Sequence, residues 1–184
     1  MPRACRPPPL GPVAALMALW PCAEARAAFG DPEVRAGFSG GYTCYADSRR
    51  YHGLGGALRA DYAFGPTWAL GVRYGLGAHD IRGADFMVHQ VGLGTRFQLD
   101  VFEYVPWLEL APGVYVATGE GGPREDTSGG VRAGLGFDRL LDERVDLNFG
   151  VHYHRLFGES RFPAYLEIHL GVGFRCGLGD PLAP

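Results

Sequence analysis

The sequence predicts an all-β fold, an eight-stranded antiparallel up-and-down transmembrane β-barrel. Three observations carry that expectation. From Glu33 onward, almost every stretch alternates apolar residues with polar or small ones at period two, the signature of a strand with two different faces. Many of the 29 glycines fall inside these runs, where each would cost a helix about 1 kcal/mol relative to alanine. The connections alternate between short turns and longer polar links, as they do in barrels of the outer-membrane type. At 184 residues the chain suits one domain.

The first element is an address. Arg3 and Arg6 precede an apolar run from Leu10 to Cys22, and small residues occupy alternate positions from Ala23 to Ala28. This is the layout of a secretory signal peptide over residues 1–27, with cleavage after Ala27 or Ala25. The run is shorter than the about 20 residues a spanning helix requires. A barrel over residues 28–176 and a short tail over 177–184 follow.

The strands come in order. Val34, Ala36, Phe38, Tyr42 and Cys44 form one face of the first. Leu54, Leu58, Ala60, Tyr62 and Phe64 alternate with Ala57, Arg59, Asp61 and Ala63 in the second. Trp68, Leu70, Val72, Tyr74 and Leu76 oppose Arg73 and three glycines in the third. Val91, Leu93, Thr95, Phe97 and Leu99 oppose Gln90, Arg96, Gln98 and Asp100 in the fourth. The fifth, Pro106 to Thr118, carries Leu108, Leu110, Val114 and Val116 on one face, with Pro112 at a bulge or distortion. Val131, Ala133, Leu135 and Phe137 oppose Arg132 and Asp138 in the sixth. Val145, Leu147, Phe149, Val151 and Tyr153 oppose Asp146, Asn148 and His152 in the seventh. Leu166, Ile168, Leu170, Val172 and Phe174 oppose Glu167, His169 and Arg175 in the eighth. Each strand is expected to span about 9 to 13 residues, near the 9 to 11 that cross a bilayer at a tilt.

Phe64 to Thr67, Asp100 to Val105 and Leu140 to Arg144 are the short connections. Ala46 to Gly53, His79 to Asp85, Gly119 to Ser128 and Gly158 to Pro163 are the longer polar links, expected to face the outside of the cell. Cys44 and Cys176 then lie at opposite ends of neighbouring strands. A disulfide between them is disfavoured, and both are read as free thiols.

Alternation does not say which face points inward. A soluble lipocalin-type barrel has an apolar interior and a wet, polar exterior; a membrane barrel reverses the sign. The polar face here is made of arginines, acids and glycines, and all 17 basic residues of the chain are arginine. Glycine leaves room for long guanidinium side chains in a narrow eight-stranded lumen. The charges nearly balance as well: Arg35, Arg59, Arg73, Arg96, Arg132 and Arg175 against Asp61, Asp100, Glu109, Asp138, Asp146 and Glu167, with Glu33 beside them. Mutual pairing is expected, since an unpaired charge in a narrow lumen is costly. Phe64, Trp68, Phe97, Phe102, Tyr104, Phe137 and Phe174 gather at the short-turn ends, where an interfacial aromatic girdle belongs.

With these features the mature chain resembles the small eight-stranded outer-membrane barrels of the OmpA/OmpX/OmpW-like group. The most specific element is the run from His169 to Cys176. His169, Gly171 and Phe174 look like the terminal-strand signal read by the outer-membrane assembly machinery, with Cys176 where the pattern has a final aromatic residue. The resemblance implies a bacterial outer-membrane address. It also implies contact with outer-membrane lipids and lipopolysaccharide, and polar loops open to an extracellular partner.

Other chemistry is weakly supported. A net charge of −3 and a pI near 6.0 provide no basic field for nucleic acid. His152 and His154 share a strand face, with His169 on the next strand. Folding that hairpin about its link sets His152 nearer Tyr165 and His169 nearer Asn148, so the three stand at different heights and no metal site is expected. Ser160, His154 and Glu159 supply the residue types of a lipid acyl hydrolase, with nothing to fix their geometry. No catalytic residue and no cofactor are expected. The leading expectation is a non-enzymatic structural or surface-interaction protein with a polar, largely plugged lumen. The alternatives are a narrow channel for small or apolar solutes, a lipid-modifying hydrolase, and a soluble periplasmic lipocalin-like ligand-binding barrel.

Overall fold

The computed structural model describes residues 32–45, 51–81, 84–99, 103–119, 127–159 and 163–177. The leader and most of the tail expected from the sequence, together with Asp100, Phe102 and Ser160, lie outside the described residues. Eight strands follow one another: β1 (Glu33–Tyr45), β2 (Tyr51–Ala63), β3 (Trp68–Ile81), β4 (Ala84–Gln98), β5 (Tyr104–Gly119), β6 (Thr127–Leu140), β7 (Val145–Leu156) and β8 (Ala164–Gly177). Each pairs antiparallel with the next, and β8 returns to β1, closing the barrel. Closure leaves no strand edge open.

The registers fix the barrel's shape. Starting at Glu33, the pairs lead through Ala63, Ala69, Arg96, Glu109, Gly134, His152 and Glu167 and return to Thr43, ten residues further along β1. A stagger of this size in eight strands corresponds to a strand tilt of about 40–45° and an interior only wide enough for side chains.

The strands are longer than the sequence pattern suggested, from 12 residues in β7 to 16 in β5. The largest correction concerns His79 to Asp85, expected as a polar link. There β3 and β4 stay paired as far as Ile81 and Ala84. His79 and Phe86 face inward and stack with centroids 4.9 Å apart. Polar residues hid this stretch because the inward face of a membrane barrel is itself polar. At Pro112 the ladder to β4 is interrupted: pairing stops at Gly92–Gly113 and resumes at Thr95–Leu110 with no residue inserted. The proline, which has no N–H to offer, produces a distortion and not a bulge.

The two faces separate as the membrane reading requires. Leu54, Leu70, Leu93, Leu108, Leu135 and Leu170 point outward and are exposed, as are Phe38, Tyr74 and Tyr153. Arg35, Arg73, Arg96, Arg132, Asp138, Asp146 and His152 point inward and are buried. Apolar surface is left uncovered around the whole wall, which water would penalise and hydrocarbon does not. A greasy cavity in a charged shell, the soluble lipocalin-like alternative, is the opposite of this arrangement.

Glycine spacing lets the lumen close. The indole of Trp107 lies over Gly136 and Gly150; a Cβ on Gly150 would stand 2.6 Å from that indole and 2.8 Å from His169 Cε1. Two rigid rings cannot give way by that much. Gly150→Ala is therefore expected to cost about 1–3 kcal/mol by overpacking, read as a lower unfolding midpoint in detergent micelles. An unchanged midpoint would show that Trp107 does not occupy this slot.

The cysteines divide. Cys44 carries a free thiol, and its register partner on β8 is Leu166, whereas Cys176 sits beside Val34 at the other end of β1. The two are not joined to each other, as the spacing suggested. Cys176 is nevertheless disulfide-bonded, which corrects the reading of it as a free thiol: the strand spacing excluded Cys44 as its partner and nothing more.

Candidate functional site

The only concentration of chemistry-bearing groups among the described residues is the lumen, and it is built in layers. At the short-turn end, Arg35 pairs with Glu33 and donates through Nη1 to Gln98 Oε1 at 2.5 Å. Arg175 reaches Glu33 at 3.5 Å. Asp138, on β6, is a hub. It takes a guanidinium contact from Arg96, the Trp107 Nε1–H at 3.1 Å and the Asn148 amide, with Arg59 Nη2 at 3.9 Å. Arg59 also reaches Asp146 Oδ1 at 3.5 Å. Arg96 Cζ lies 4.4 Å from the centre of the Trp107 ring, so one arginine is held by charge and by a π face.

The middle layer joins arginine to histidine. Arg132 Nε donates to Glu109 Oε1 at 2.9 Å. Arg73 pairs with Glu167 and donates through Nη1 to His152 Nδ1 at 3.0 Å. His154 Nε2 meets Glu167 Oε2 at 3.2 Å, and His169 Nε2 meets Asn148 Oδ1 at 2.7 Å. His152 and His169 stack face to face, centroids 4.6 Å apart.

Toward the long-link end the lumen turns apolar. Phe86, Val88, Tyr115, Leu156 and Tyr165 form one buried cluster. Tyr165 stacks on His154 at 4.1 Å, and the Tyr115 hydroxyl lies 3.1 Å from His154 Nδ1. This cluster shares the end of the lumen with the buried polar side chains of Thr43, His79 and Gln90.

Within the strands, six arginines and six carboxylates (Glu33, Asp61, Glu109, Asp138, Asp146 and Glu167) take part in these inward pairs. Formal charge is thus balanced, which is what a low-dielectric interior demands of buried ions. Two cavities among the described lumen residues are about 20 Å³ each, room for roughly one water molecule.

The sequence-derived lumen set of Arg35, Arg59, Asp61, Arg73, Arg96, Glu109, Arg132, Asp138, Asp146, Glu167 and Arg175 thus meets inside the barrel. Trp107 and Tyr115 were missed as lumen residues, although both share the parity of Glu109 along β5. The histidine geometry needs correction. His152 lies opposite Glu167, His154 opposite Tyr165 and His169 opposite Gly150, because the β7–β8 hairpin is centred one residue later than assumed, which shifts every pairing by two. The three rings are therefore neighbours. His154 is buried and engaged by Tyr115 and Glu167, so it gives no support to a hydrolase acting on membrane lipid.

A group of outward aromatics lies at the short-turn end, while Tyr42, Tyr74, Tyr153 and Phe157 are exposed elsewhere on the wall. Phe64, Trp68, Tyr104, Phe137 and Phe174 are each 40–54% exposed, and Phe97 meets Trp68 edge-on at 5.2 Å. Tyr62 and Phe149 join them.

No family model matches the chain, and no curated protein matches it. Solved structures do. The neisserial surface protein A (NspA) superposes with a TM-score of 0.63 at 18% identity, covering 78% of this chain and 96% of that one. Ail, the attachment invasion locus protein of Yersinia pestis, gives 0.56 at 16% identity, over 80% of this chain and 99% of that one. The outer-membrane enzyme PagL gives 0.55 at 11% identity, over 76% and 97%. The chain has the fold of the small eight-stranded outer-membrane barrels.

Proposed function

We propose that this chain is an integral outer-membrane protein of a Gram-negative bacterium, with a structural or surface-interaction role and a lumen closed to solutes. The observation that carries the reading is the pairing of an apolar, exposed outer wall with an ion-paired interior. A wall of that kind is stable only in hydrocarbon, and an interior of that kind conducts nothing larger than water. The structural neighbours called a surface protein and an attachment protein support a role at the cell surface through the longer links. Lipids and lipopolysaccharide are the partners of the wall. The terminal strand, with His169, Gly171, Phe174 and Cys176, is the element offered to the assembly machinery. PagL shows that this fold also carries enzymes; the non-enzymatic reading rests on a lumen whose arginines and carboxylates are paired with one another.

Fractionation tests this directly. The protein is expected to stay with membranes through carbonate and high-salt washes, to need detergent for extraction, and to migrate faster unheated than boiled on a denaturing gel. Planar bilayers containing it are expected to show no discrete conductance steps. Release by carbonate would overturn the membrane assignment, and regular conductance steps would overturn the closed lumen.

A further inference from the structure

The β7–β8 register gives the paired histidines a third ligand. Glu167 stands opposite His152 and one diagonal step from His154, and one ligand atom from each residue lies within 4.8 Å of the others. Glu167 Oε2 is 3.2 Å from His154 Nε2 and 3.9 Å from His152 Nδ1. Tetrahedral zinc, with bonds of about 2.0–2.1 Å, holds its ligand atoms about 3.3 Å apart. The ligand atoms stand up to 4.8 Å apart, so ligation draws the cluster inward.

The surroundings are those of a supported ligand set. Arg73 holds the other oxygen of Glu167, and the Tyr115 hydroxyl faces His154 Nδ1. Because Arg73 donates to His152 Nδ1, the ring proton sits on Nε2, the tautomer a metal on Nδ1 requires. That Nε2 is buried without a hydrogen-bond partner, 3.9 Å from Glu109 Oε2.

The geometry points to a site for a divalent transition metal of the zinc class, formed by His152 Nδ1, His154 Nε2 and Glu167 Oε2, with Arg73 as the competing internal cation. Two imidazoles and one carboxylate suit zinc, copper or nickel and leave a fourth position open. The balanced charge of the lumen sets the terms: the dication displaces Arg73 Nη1 from His152 and shares Glu167 with what remains of the arginine contact. Tyr115 and Tyr165 cover the cluster, so loading takes place while the barrel folds.

The test uses the full mature chain without a histidine tag, refolded in detergent micelles with and without zinc. The wild type is expected to take up one zinc per chain and, with cobalt, to show the visible bands of tetrahedral coordination. His154→Gln is expected to lower zinc affinity at least tenfold while keeping the folded gel mobility. His89→Gln, which alters the outward pair with Tyr74, leaves uptake unchanged. Arg73→Gln binds at least tenfold tighter. The assignment is overturned if folded wild type takes up no zinc, if His154→Gln binds as well as wild type, or if folded Arg73→Gln binds no tighter. Should His154→Gln fail to fold, the ring-nitrogen resonances of wild-type His154 decide the point, and resonances unmoved by zinc overturn it.

Discussion

Arg73→Leu is expected to destabilise the folded barrel by about 3–5 kcal/mol, the usual result of removing one partner from a buried ion pair. The arginine is nearly inaccessible and serves two partners, Glu167 and His152. Leucine would leave the carboxylate with His154 as its remaining close contact, in an interior whose cavities admit about one water each. The measurement is the unfolding midpoint of refolded protein in micelles, followed by loss of the fast-migrating form. Adding Glu167→Gln to the same chain should recover part of the loss, because the uncompensated charge is gone. A midpoint equal to wild type in Arg73→Leu would mean that Glu167 is solvated, and the closed lumen would be wrong.

Leu170→Arg tests the other face. Leu170 lies halfway along β8, 62% exposed on the outward side. At the middle of a bilayer an arginine on a barrel's lipid face costs about 2–4 kcal/mol. On a water-facing wall the same change would fall within about 0.5 kcal/mol. Folding into lipid vesicles, with a denaturant titration of wild type and variant side by side, separates the two cases. Equal stabilities would place water, not acyl chains, against this wall.

These two predictions share a origin in sequence parity. Arg73 and Leu170 were assigned to opposite faces by counting in twos, and closure of the sheet leaves no other choice once one face is apolar. Charge balance was legible for the same reason, since every inward strand position could be listed before its height was known. The exposed aromatics Phe64, Trp68, Tyr104, Phe137 and Phe174 could be listed in advance because short turns mark one end of each hairpin.

The failures have a common cause as well. His79 to Asp85 was read as a link because its polar residues resemble a loop, yet the inward face of a narrow barrel is polar throughout. Trp107 and Tyr115 were passed over because aromatic residues were sought on the outward face alone. The heights of the histidines were misjudged by two residues, the shift that takes His152 from Tyr165 to Glu167. Register depends on where a turn closes, and the turn residues of β7–β8 do not announce that position.

By itself the sequence determined the alternation of faces, the number of strands, the sign of the interior and the pool of charges that fills it. All of these follow from composition and the two-residue period of a strand. The tertiary structure decided which arginine meets which acid, that three histidines become neighbours, and that Phe86, Val88, Tyr115, Leu156 and Tyr165 pack together inside the lumen. Those facts depend on the ten-residue stagger of the closed sheet, which accumulates one strand pair at a time and is written in no single segment.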